Sequence, residues 1–268
     1  MPPQSNLQKA AVASFVSITG ANDKTAQRYL KNNSYKLHEA VDAYFQTNAS
    51  TSVPSKDGQL TKLFDSLRNE ADPKDTLGAD SSMTYLNSIG VDLEGASLFL
   101  AMELVQAPTI GEITRDGFIK GWNAQSGIDA KLETQKQHFK RLVDSLSKDR
   151  DLFRKVYRYA FVVGREGDQR ALSLDNAILY WEMLFKKPGM AWVGATTGMD
   201  WVAEWTSFLR ANWTRSVSRD MWNQTFEFAS KSIDDESLSF WSEDGAWPGV
   251  IDEFVAWYRR KSEMDVDA

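Results

Sequence analysis

Seven carboxylates, Asp234, Asp235, Glu236, Glu243, Asp244, Asp252 and Glu253, fall between Ile233 and Phe254 with no lysine or arginine among them. Carboxylates serve as general acids and bases, as metal ligands, or as a docking face for cations. Acid–base work needs two groups converging on one cleft. Glu243/Asp244 and Asp252/Glu253 are instead sequence neighbours, which do not face each other on a helix. An acidic segment that also carries Trp241 and Trp247, with Gly245 and Ala246 small enough for close approach, suits a basic protein surface and repels nucleic acid. We therefore expect a docking face. Pro248 suits the first turn of a helix continuing through Ile251, Phe254, Val255 and Tyr258, with Asp252 one turn in. Asp220 follows the cap residue Ser218 at the start of another helix. Taken singly, each of these acids would equally serve to complement a helix N-terminus.

Other chemistries fail on residue type. The chain has no cysteine, so it offers no thiolate for a thioester, a cysteine nucleophile or a disulfide. With His38 and His138 its only histidines, a zinc site of the RING or finger type lacks its four nitrogen and sulfur ligands. The stretch Asp72–Met83 has the length of an EF-hand loop, but Lys74, Leu77 and Met83 stand where ligands and the obligatory glycine belong. The loop's shape is expected without calcium. Gly164-Arg165-Glu166-Gly167-Asp168 reads as a turn between helices, because neither a preceding strand nor a following Lys-Ser/Thr makes it a phosphate cradle. No metal or cofactor is expected.

The elements that must position the acidic face are helical. At 268 residues, 42% hydrophobic and with ten tryptophans, the chain can bury one large core and a second small one. A net charge of −6 argues against a general nucleic-acid or anionic-membrane binder. No apolar run approaches a membrane span and the N-terminus has no signal-peptide pattern, so cytoplasm and nucleus are the expected compartments. Residues 48–58, NASTSVPSKDG, are polar and turn-forming and read as a flexible linker between a domain over 1–47 and another over 59–268. The first should hold three short helices, Leu7–Val16, Lys24–Lys31 capped by Asp23, and Tyr35–Gln46. Their core is drawn from Phe15, Ile18, Tyr29, Leu30, Leu37, Val41, Tyr44 and Phe45. The second repeats helical spacing over Leu93–Val105, Leu152–Val163, Ser173–Phe185 (with Ser173 as cap), Asp200–Leu209 and Met221–Ala229. No alternating run competes, so the fold class is all-α. Leu98, Ala101, Met102 and Val105, close in sequence to Ile113, form an apolar stripe that reads either as core or as a slot for a partner's hydrophobic end.

Three strings then carry a resemblance: Asp220-Met221-Trp222, Glu243-Asp244-Gly245-Ala246-Trp247-Pro248 followed by Ile251-Asp252-Glu253-Phe254, and Leu174–Trp181. From about residue 59 to 262 the chain resembles the cullin-binding, potentiating-neddylation domain of the defective-in-cullin-neddylation protein 1 family. Residues 7–47 resemble a ubiquitin-associated domain, as in fungal members of that family.

The resemblance implies an all-α protein with degenerate EF-hand-like helix pairs, acting as a scaffold-type ligase component and not as an enzyme with catalytic residues of its own. Its partners would be the winged-helix domain of a cullin, the N-acetylated neddylation conjugating enzyme and the RING-type subunit bound to the cullin. Carried over by position, the cullin-docking patch falls on Asp220, Ala246 and Asp252, with Glu243 and Asp244 beside it. The pocket for the acetylated methionine falls on Leu98, Ala101, Met102, Val105, Ile113, Val163 and Met183, so that Met102→Arg should impair conjugating-enzyme binding and spare cullin binding. Ile18, Thr19 and Gly20 occupy the ubiquitin-binding loop of the small domain. The alternative function is a ubiquitin-binding adaptor working through that domain. Lys187–Met199 stands as an insertion relative to animal relatives and has no assigned role.

Overall fold

The computed structural model describes residues 6–49 and 55–266. They form two compact units divided between Ser55 and Lys56.

In the first unit, α1 (Asn6–Thr19), α2 (Asp23–Asn32) and α3 (Leu37–Ala49) enclose Val12, Phe15, Ala26, Leu30 and Ala40. Tyr29, Leu37, Val41 and Tyr44 seal the edges, and Phe15 meets Tyr44 edge-on at 5.5 Å between centroids. Two of the expected core residues lie outside: Ile18 is 55% exposed and Phe45 50%. Phe45 sits one position beyond Tyr44 and Ile18 two beyond Val16, both of which do pack, and a rotation of about 100° per residue carries them off the buried face. The cap of α2 is Asn22, whose Oδ1 accepts the Thr25 N–H at 2.9 Å, and not Asp23, which lies inside the first turn. Gly20 takes φ +66, a left-handed turn that ends α1 without a Cβ penalty.

Two of the expected linker residues, 48 and 49, continue α3, and the three at 56–58 open α4 (Lys56–Leu67). Lys56 is structural: its ammonium donates to the carbonyls of Trp122 and Gln125 at 2.7 and 3.0 Å, and Asp57 accepts from Asn123.

In the second unit α4 is followed by β1 (Thr76–Leu77), α5 (Ala79–Ser88), α6 (Ala96–Leu104), β2 (Ile113–Thr114), α7 (Arg115–Asn123) and α8 (Leu132–Leu146). β1 and β2 pair antiparallel, Thr76 opposite Thr114 and Leu77 opposite Ile113, so two helix–loop–helix pairs join through their loops as the EF-hand-like expectation required. A two-residue ladder has no period to display, which is why no strand was legible. The Asp72 carboxylate organises its loop by accepting the N–H groups of Asn69 and Gly78 at 3.0 and 2.9 Å. Among the described residues no group of three His, Asp or Glu is arranged to hold a metal ion.

The remaining helices are α9 (Arg150–Val163), α10 (Leu174–Leu184), α11 (Trp201–Asn212), α12 (Arg219–Asp234) and α13 (Gly249–Val266). Their starts are written in side chains: Asp149, Ser173, Asp200 and Ser218 each accept a backbone N–H from the first turn. Every residue of α6 is buried, making it the central helix against which α9 packs.

Large aromatics fill this core, and several have their polar atoms paired. The Trp122 indole N–H donates to the Tyr85 hydroxyl at 2.8 Å, which donates to Gln135 at 3.1 Å. In the second half, Trp181 donates to the Tyr157 hydroxyl, which donates to the Trp222 carbonyl. Burial raises the phenol pKa of both tyrosines, so both stay neutral. The segment Lys187–Met199 belongs to the same core. Trp192 is fully buried against Phe185, Trp205 and Phe228 and donates to Ser232 at 2.8 Å. The segment is therefore a structural staple on the C-terminal end of α12.

Candidate protein-docking site

The starts of α12 and α13 lie side by side. Between them is a cleft of about 350 Å³ whose lining includes Asp220, Met221, Pro248, Val250 and Glu253. Helix geometry places the acids: Ser218 caps α12, so Asp220 falls in its first turn, and the Pro248 carbonyl accepts the Ile251 and Asp252 N–H groups, so Asp252 falls in the first turn of α13 with Glu253 next to it; Asp220 and Glu253 line the cleft, and Asp252 lies outside its lining. Two helix N-termini add partial positive charge, which the carboxylates at the cleft mouth complement. Trp213 and Arg215 complete the lining, with the guanidinium 4.0 Å from the indole centroid. The cleft is thus acidic on its helix side and carries one cation on its loop side.

Three of the seven carboxylates do not contribute. Asp234 pairs with Arg150 at 3.1 Å. Asp235 accepts the hydroxyls of Ser237 and Ser239, each at 2.6 Å, and these bonds hold its pKa down to about 2. Glu236 accepts the Thr197 hydroxyl and the N–H groups of Thr196 and Thr197, which lower its pKa and fasten the 187–199 segment. The seven-acid face narrows to its second half. Glu243 and Asp244 are exposed in the turn closed by the Gly245 N–H bond to the Ser242 carbonyl, and Ala246 is exposed beyond it. Among the described residues Asp220, Glu243, Asp244, Asp252 and Glu253 have no ion-pair partner.

The tryptophans expected to stand out as anchors are half-buried. Trp247 packs edge-on against Phe228 and Phe240, with the Lys231 ammonium over its ring. Trp241 donates its indole N–H to Asp252 Oδ1 at 2.9 Å and carries Arg259 on its face at 4.9 Å. A loop connects them, so no helical period could have indicated the Trp241–Asp252 contact.

The apolar set separates in space. Ala101, Met102, Val105 and Ile113 have no exposed surface, Val163 has 1% and Leu98 7%. Met102 is core, so an arginine there would bury a charge and disturb the whole unit, contrary to the selective effect expected from the sequence. Met183 reaches a different opening of about 480 Å³ with Leu93, Leu179, Glu182 and Lys186. Ile110, which the sequence did not single out, is 38% exposed and donates its backbone N–H to the Val163 carbonyl at 3.4 Å. It is the apolar surface next to the buried set. In the first unit the expected loop is instead the end of α1: Ile18 and Thr19 are its last two residues and Gly20 follows, with Thr19 donating to the Phe15 carbonyl at 2.7 Å while Ile18 projects.

The family model for cullin binding matches residues 134–257, and that for a UBA-like domain matches 9–51. The Pyricularia oryzae protein named Defective in cullin neddylation protein 1 is 45% identical over 282 residues, covering 99% of this chain and 100% of that one. Proteins of the same name from Yarrowia lipolytica and Saccharomyces cerevisiae are 29% and 24% identical, covering 94% and 92% of this chain and 97% and 92% of theirs. Fold and matches together define an all-helical protein with a UBA-like unit followed by a cullin-binding domain. The chain belongs to the defective in cullin neddylation protein 1 family.

Proposed function

We propose that this chain promotes cullin neddylation as a non-covalent scaffold. It holds the basic winged-helix domain of a cullin on Asp220, Ala246, Asp252 and Glu253, flanked by Glu243 and Asp244. It also receives the acetylated N-terminus of the conjugating enzyme at the apolar site beside Ile110 and Val163. Its contribution is effective concentration and orientation of a thioester formed elsewhere, since the chain has no cysteine to carry one. The RING-type subunit on the cullin completes the assembly.

The observation that carries the reading is the cleft where two helix N-termini bring Asp220 and Glu253 to one lining, neither of them in an ion pair among the described residues, with Arg215 on the opposite side stacked on Trp213. At the second site acetylation removes the terminal ammonium charge, which would otherwise oppose burial among Leu98, Met102 and Val163. Entry there requires those packed side chains to part. Calorimetric titration of a cullin winged-helix domain into the chain and into Asp252→Lys, at low and physiological salt, tests the docking site. Salt-sensitive binding that the variant loses supports it, and no binding by the parent removes it.

A second reading, a ubiquitin-binding adaptor, is favoured by the exposure of Ile18 and Phe45 on the small unit. Ile18→Glu in the full chain would abolish ubiquitin binding on that reading and leave cullin binding unchanged.

A further inference from the structure

We infer that Trp241 is a positioning residue for the acidic dock, acting through Asp252; the inference rests on the docking reading above. Asp252 lies in the first turn of α13, where its side chain would otherwise sample several rotamers toward water. The Trp241 indole N–H takes one carboxylate oxygen, Oδ1, at 2.9 Å. An indole is donor only, so the bond occupies one oxygen of the acid and leaves Oδ2 for an incoming cation. The ring is itself held, half-buried against the core, so the carboxylate is tied to a fixed body and less side-chain freedom is lost on binding.

The indole face has a second effect. Arg259 lies seven residues after Asp252, on the same side of α13 and about 10 Å along its axis. Its guanidinium is stacked 4.9 Å from the Trp241 ring centroid, and among the described residues it pairs with no carboxylate. The ring gives this cation a site other than Asp252, so the nearest positive charge on the helix does not neutralise the acid that the partner needs. One side chain thus orients the acid and occupies its nearest competitor.

The test is Trp241→Phe in the full chain, which keeps an aromatic ring for Arg259 and removes the donor. It is measured against a cullin winged-helix domain at low ionic strength, where weakened variants remain measurable. The expected result is an affinity about three- to tenfold lower, the scale of one hydrogen bond's net contribution. The same substitution made on Asp252→Ala should cost little further, whereas on Asp220→Ala it should cost its full factor. An equal loss in both backgrounds would mean that Trp241 matters only through general folding. Unchanged affinity of Trp241→Phe beside a binding parent overturns the inference and leaves the docking reading standing. Failure of the parent to bind overturns both.

Discussion

Tyr157 and Trp222 hold each other by their backbones: the Tyr157 hydroxyl donates to the Trp222 carbonyl at 2.7 Å, and the Trp222 indole donates to the Tyr157 carbonyl at 2.9 Å. Their rings stack at 4.6 Å, and the Tyr157 hydroxyl also accepts the Trp181 indole N–H. The pair ties α9 to α12, the helix that presents Asp220. Tyr157→Phe leaves a buried indole N–H and a buried carbonyl short of a partner and should cost about 1–3 kcal/mol. A lowered urea midpoint with an unchanged slope would record it, and an unchanged midpoint would contradict it.

Gly121 on α7 lies against the end of α6. A Cβ there would stand 1.8 Å from the Leu104 carbonyl oxygen and 3.1 Å from Val105 Cα, both backbone atoms that no rotamer change can move. Gly121→Ala should destabilise the second unit by about 3 kcal/mol. Thermal unfolding measures this, and a melting point within a degree of the parent's would exclude the close approach.

Asp235 carries a pH dependence of known sign. The Ser237 and Ser239 hydroxyls hold its folded pKa at about 2, below its ordinary 3.8. A group with a depressed folded pKa contributes stability above its unfolded pKa, and that contribution is lost as pH falls through the window from about 4 to 2. Replacing both serines with alanine should move the Asp235 titration, followed by carboxyl-carbon NMR, toward 3.8. A curve that stays near 2 would assign the shift to another cause.

Met102 and Ile110 separate core from rim. Met102→Arg should lower stability and reduce binding to both partners together, because the site is closed. Ile110→Glu, at an exposed position, should leave the melting point near the parent's and weaken only an acetylated N-terminal peptide of the conjugating enzyme. Fluorescence anisotropy with that peptide decides it; retained affinity in Ile110→Glu would place the terminus elsewhere.

Charge reversal at Glu253 extends the dock beyond the residues matched by resemblance. Glu253→Lys should weaken the cullin winged-helix domain most at low salt, where screening is least, and the difference from the parent should shrink at physiological salt. A deficit that does not change with salt would mean a packing role instead.

Much of this was legible along the chain. The helices at Leu152–Val163 and Ser173–Phe185 and the caps Ser173 and Ser218 depend on neighbours within one or two turns, so their spacing suffices. α6 was legible as a helix but not as core or pocket, because a helix apolar on every side carries no stripe to say which face is closed. The cap of α2 was misplaced by one residue because Asn22 and Asp23 are both good caps, and only backbone geometry chooses between them.

Residue types by themselves excluded a thioester on this chain, since no folding supplies an absent thiolate, and they located the acidic segment, since charge is a property of composition. Tertiary structure decided which acids remain free. Arg150 reaches Asp234 from 84 positions away, Thr196 and Thr197 arrive at Glu236 from 40 and 39 positions away, and Trp241 turns back across a loop to Asp252. Each of these contacts joins residues whose separation along the chain says nothing about their distance in space, and only the packing of α9, α12 and α13 into one core brings them within hydrogen-bonding reach.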